Sequence, residues 1–149
     1  MRGSPFAPVR RRALPRIHLR VLAAIVVGGF FGGLLRYAVS LALPAGPRGF
    51  PWAVFEVNTT GAFVLGLVLV LVLEVLPPTT YLRPLLGTGF CGALTTFSSV
   101  AVGTDELVAR GSWLLAVGYL LASVLAGLAA AWLGIALGRW VAAVRQRRG

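Results

Sequence analysis

The sequence predicts an all-α integral membrane protein with four transmembrane helices, and three observations carry that expectation. The chain of 149 residues is 58% hydrophobic and only 12% charged, with a mean hydropathy of +0.87. A soluble domain carries about a quarter charged residues. Four runs with few or no charges, residues 21–43, 54–76, 84–104 and 111–138, are each long enough to cross a hydrocarbon core of roughly 30 Å. Stretches rich in proline or charge punctuate them. The composition excludes a soluble enzyme, a disordered tail protein and a disulfide scaffold, and it leaves no length for a second domain.

Taken in order, residues 1–18 mix prolines with arginines and read as a basic disordered tail. Residues 19–143 form the four-helix transmembrane domain, and 144–149 a second basic tail. The first run follows arginines as a signal peptide would. It continues through Gly28-Gly29 to Arg36-Tyr37 without a small-residue cleavage site, so a retained helix is expected. Residues 44–51, with three prolines, cannot continue a helix and make the first loop. Pro77-Pro78-Thr79-Thr80 ends the second run, and Asp105-Glu106 with Arg110-Gly111 marks the last turn. Short loops force an up-down-up-down path with both termini on one side. Gly28/Gly32, Gly29/Gly33 and Gly134/Gly138 are spaced for close helix packing in lipid.

The net charge of +10 is concentrated at the ends of the chain. Beside apolar spans this reads as a topology signal and a contact for anionic lipid head groups, not as a nucleic-acid site. Eleven of the 14 basic residues, all arginines, fall on the side of the termini. By the positive-inside rule both termini are therefore expected in the cytoplasm. The single cysteine, Cys91, excludes an internal disulfide and a CxxC metal site, and His18 reads as interfacial. No catalytic constellation is present. Glu56 is the one acid inside a span placed to carry a proton, and its nearness to the first loop makes it interfacial.

Three features are not explained by bundle packing. Arg36 lies inside the first span, where an arginine costs on the order of 3 kcal/mol; it either snorkels to the interface or draws anions to a vestibule. Asn58, in the first turns of the second span, is either glue between helices or a donor along a pathway. The third feature is the strongest. Residues 87–99, with three glycines and five hydroxyls, make a poor apolar helix and a good place for a break. Non-helical backbone at membrane depth must be buried in protein or line a polar cavity. Carbonyls freed there would suit a hard monovalent cation. Phe97 beside the break is either core filler or a ring edge facing an anion.

Three motifs now fall in order: Gly28-Gly29-x-x-Gly32-Gly33-x-x-Arg36-Tyr37, Val57-Asn58-x-x-Gly61-Ala62-Phe63-x-x-Gly66, and Gly89-Phe90-Cys91-Gly92-x-x-Thr95-Thr96-Phe97-Ser98. Over roughly residues 20–140 the chain resembles the CrcB/Fluc family of fluoride channels. The resemblance implies a third helix broken mid-membrane and an antiparallel, dual-topology dimer with two narrow fluoride pathways. It also implies a structural, untransported sodium ion held by the backbone carbonyls of Gly92 and Thr95. Asn58, Phe97, Ser98, Tyr119 and Ser123 would line the pathway, and Arg36 would stand in the vestibule.

The sequence departs from the family pattern at Val100, where a second phenylalanine is expected, at Gly103, where a glutamate is frequent, and at Gly127, where the polar track loses a hydroxyl. With the arginine bias, these departures favour pairing with an oppositely oriented paralogous subunit. The expectation is thus a multi-pass plasma-membrane subunit that passively exports cytoplasmic fluoride and is not an enzyme. A small dual-topology multidrug-type transporter is the first rival, opposed by the absence of an acid in the first span. A non-conducting assembly subunit is the second, and it leaves Asn58 and the break without a purpose.

Overall fold

Backbone amides in hydrocarbon must pair within their own segment, so long apolar runs have little choice but to be helical. The computed structural model describes residues 18–44, 49–75 and 80–147. Residues 1–17, 45–48, 76–79 and 148–149, which include most of the first basic tail and part of the Pro77-Pro78-Thr79-Thr80 stretch, lie outside them. Among the described residues there is no strand, and four helices are long and apolar enough to cross a membrane. Helix α1 spans Leu19–Ala42, and α2 spans Trp52–Val70 with a wider π-helical end over Leu71–Val75. The third span begins as π-helical Arg83–Cys91, continues in the short α3, Gly92–Leu94, and resumes as α4, Phe97–Ala109. Helix α5 runs over Trp113–Gln146.

The 34 residues of α5 extend roughly 50 Å, well beyond a hydrocarbon core. The helix passes the boundary expected at 143, so Arg145 sits on its last turn, where Nη1 donates to the Val75 carbonyl at 3.4 Å. The turn from α4 into α5 is closed by Gly111, whose φ of +77° is the left-handed value that glycine adopts freely. Ser112 N–H bonds Leu107 O and Gly111 N–H bonds Val108 O, completing a helix C-cap.

Close backbone approach organises the bundle. A Cβ at Gly28 or Gly32 would run into the Leu85 and Phe90 carbonyls, and one at Gly89 into that of Ile25, so α1 lies against the first half of the third span. In the same way Gly66 meets Ala131, Gly134 meets Phe63, and Gly138 meets Val70, which locks α2 along α5. Of the two overlapping pairs in α1, Gly28/Gly32 is buried, whereas nothing lies within 4 Å of a Cβ at Gly33. Val100, Leu107, Ala116 and Tyr119 close a small core between α4 and α5, with Phe50 folded over it.

The break falls at Thr95 and Thr96, in the middle of Arg83–Ala109. Both residues are extended, with φ/ψ of −88°/151° and −157°/115°. The glycine-rich stretch before it stays helical in wide turns, and its Gly89 sits directly against the α1 backbone at Ile25 and Gly28.

Candidate functional site

The break is held open by a side chain 38 positions away. Asn58 of α2 accepts the Thr96 N–H at Oδ1 (2.7 Å) and donates from Nδ2 to the Thr96 carbonyl (3.1 Å). An unbroken helix would send the Thr96 N–H to Gly92 O and the Ser99 N–H to Thr95 O. Asn58 takes the first of these donors. Thr96 Oγ1, acting as the N-cap of α4, accepts the second at 3.3 Å. The carbonyls of Gly92 and Thr95 are therefore released from the helical ladder. Thr95 is anchored meanwhile through its N–H and its Oγ1, both donating to Cys91 O at 3.0 and 2.9 Å. Its methyl would be struck by any side chain at Gly61, which must stay small.

Two cavities meet at Thr96. One, of about 350 Å³, is lined by Arg36, Tyr37 and Ser40 of α1, by Val54 and Val57 of α2, and by Thr96 and Ser99. Arg36 is exposed and makes no ion pair among the described residues, so its guanidinium remains available to an anion. The other cavity, of about 290 Å³, is lined by Asn58, Ala62, Thr95, Thr96, Phe97, Val100 and Ser123, among others. The first N–H groups of α4 point out of its N-terminus at this junction, where the helix dipole favours negative charge.

Of the residues expected from sequence, Asn58, Phe97 and Ser123 thus share one cavity, with Arg36 in its neighbour. Phe97 is 71% exposed, with most of its ring outside the subunit. Tyr119 is fully buried beside Val100 and Leu107, its ring perpendicular to Phe50 at 5.1 Å. Tyr119 Oη and Ser123 Oγ, one turn apart on α5, are buried beside each other without a hydrogen bond of good geometry to any group. Ser98 bonds Thr96 Oγ1 at 2.9 Å but lines a third cavity, of about 320 Å³, with Glu106 and Arg110. Val100 packs into the α4–α5 core and also borders the Asn58 cavity.

Sequence reasoning did not single out Thr96 as the hub of the site, nor Ser99. The available signal was a threonine placed three residues before Ser99 at the head of a helical run, which is an N-cap pattern.

The sequence model of the family described as "CrcB-like protein, Camphor Resistance (CrcB)" matches residues 23–135. A Streptomyces avermitilis protein named Fluoride-specific ion channel FluC 3 is 49% identical over 133 residues, covering 89% of this chain and 65% of that protein, slightly less than two thirds. Fluoride-specific ion channel FluC 1 of Mycolicibacterium paratuberculosis is 47% identical over 129 residues, covering 87% of this chain and 96% of the relative. Fluoride-specific ion channel FluC of Magnetococcus marinus is 40% identical, covering 80% and 98%. With the matched segment running from the first span into the last, the chain belongs to the CrcB-like family.

Proposed function

We propose that this chain is a subunit of a fluoride-specific channel that lets cytoplasmic fluoride leave passively across the plasma membrane. The observation that carries the reading is the break at Thr96, which joins the free Arg36 to the donors of the Asn58 cavity. Fluoride is small and strongly hydrated, so a pathway must replace its water with several donors at close range. Asn58 keeps one N–H beyond its bond to Thr96, and Ser123 adds a hydroxyl to the same cavity. Phe97 adds the positive edge of its ring. The printed names of the relatives support the same substrate. The multidrug-type rival is not favoured: no acid occurs in α1 to couple protons.

The freed carbonyls of Gly92 and Thr95 fit a hard monovalent cation, and sodium there would be structural, tying the break in place. Gly92 and Phe97 are exposed on the subunit surface, so a site built around them is incomplete in one copy. An antiparallel second subunit would complete it. The arginine bias and Val100 favour a paralogous, oppositely oriented chain with this one's termini in the cytoplasm. Neither pump nor enzyme chemistry is required.

Cells lacking their own fluoride export test the function directly. Expression of this chain, alone or with a paralogous partner, should restore growth on fluoride. Membrane-inserted protein that restores no growth in either setting would refute the reading.

A further inference from the structure

Two cavities at the end of the bundle opposite the termini share a wall. Val54 and Ser99 line both the Arg36 cavity and the third cavity, of about 320 Å³. The site described above makes no use of the third. It is bounded by Gly49 and Pro51 ahead of α2, and its opposite wall is a stripe of α4. Ser98, Val102, Glu106 and Arg110 follow at intervals of four residues, so the stripe runs about 18 Å from the break to the end of the helix.

The two ends of this groove differ in chemistry. At the inner end Ser98 and Thr96 share a hydroxyl contact at 2.9 Å, which brings the groove directly to the break. Midway, Gly103 offers no side chain to obstruct it. At the outer end Arg110 Nη2 lies 3.4 Å from Glu106 Oε2, with the two side chains 44% and 56% exposed. A solvent-exposed pair of this kind holds its partners only weakly. The carboxylate on Arg110 is therefore one that another anion can exchange with.

We propose that this groove is a second outer mouth of the fluoride path, in which Glu106 sits on Arg110 as a resident anion and an incoming fluoride takes its place. The inference rests on the channel reading above. Arg110 draws the ion to the rim, and the groove delivers it to the break at Ser98, beside the route through the Arg36 cavity. Glu106 competes with the ion for Arg110 and so restrains entry.

The test places a thiol in the groove. Val102 is 57% exposed and lines the groove midway, so Val102→Cys in a Cys91→Ala background puts the one cysteine of the chain there. The full-length assembly in liposomes is treated with an anionic sulfonatoethyl methanethiosulfonate or its neutral hydroxyethyl counterpart. The anionic-to-neutral ratio of reaction rates should fall on the order of threefold with Arg110→Gln, and rise by a similar factor with Glu106→Gln. Both shifts should vanish in molar salt. The neutral reagent corrects for any change of packing in a variant. Complete modification of Val102→Cys should also cut fluoride release by half or more. A thiol that does not react, ratios indifferent to both substitutions, or undiminished release after complete modification overturns the inference. A parent assembly that releases no fluoride overturns the channel reading itself, whereas the reagent ratios judge the anion site independently of it.

Discussion

Asn58 and Thr96, on different helices, exchange two hydrogen bonds, at 2.7 and 3.1 Å, in the geometry of paired strands. A side-chain amide here substitutes for a backbone neighbour. Its oxygen draws away the N–H that would have continued the helix, and its nitrogen satisfies the carbonyl that the break exposes. The same residue both opens the helix and lines the cavity.

Replacing Asn58 by alanine should therefore remove both. Fluoride flux should fall on the order of a hundredfold, reflecting the lost donor and the relaxed break. The α2–α5 seam through Gly66 and Gly134 is untouched, so the variant should elute as the parent assembly on size exclusion. Normal flux would refute the pathway role, and dissociation would reduce Asn58 to a packing residue.

The close seams predict a stability split among glycines. Gly134→Ala pushes a methyl into the Phe63 carbonyl and should cost about 1–3 kcal/mol, seen as a lower melting temperature in detergent. Gly118→Ala, with nothing within 4 Å of its Cβ, should melt at or above the parent. Equal melting of both would contradict the packing described.

Sodium removal should slow fluoride release without any sodium accompanying it. In the proposed assembly the freed carbonyls of Gly92 and Thr95 would hold the sodium, with no carboxylate beside them among the described residues to balance a moving ion. Full flux in sodium-free, N-methylglucamine buffer, or sodium flux coupled to fluoride, would contradict a structural cation.

Orientation should be single, with the termini inside. Cysteines placed near Arg147 in a Cys91→Ala background should react with impermeant reagent only after the cells are opened. Labelling from both sides of intact cells would show dual insertion and favour a homodimer over a pair of paralogues.

How far the site could be read in advance differs by residue. The four spans followed from hydropathy alone, and Gly28/Gly32 and Gly134/Gly138 from spacing, because lipid leaves small residues few purposes besides close approach. The break was legible only as a region. Glycines and hydroxyls together marked residues 87–99 as the region to yield; within it residues 87–92 stay helical, with Gly89 against α1, and Thr95 and Thr96 open because Asn58 draws off a backbone donor. No local pattern announces a partner 38 positions away. Tyr119 and Ser123 were placed correctly on one helical face by their spacing. Their separation, with Ser123 in the cavity and Tyr119 sealed under Phe50, depends on the first loop folding over α5. Ser98, which the resemblance grouped with the pathway, bonds Thr96 Oγ1 and lines a cavity with Glu106 and Arg110.

The most direct test of the account is anion selectivity. Liposomes holding the purified assembly, with a paralogous partner where one is needed, are loaded with equal fluoride and chloride and given a potassium shunt. Rapid fluoride release with chloride retained is the predicted result, because donors placed at close range, Asn58 and Ser123 among them, replace the water of the small, strongly hydrated ion better than that of the larger one. Chloride release at a comparable rate would contradict it.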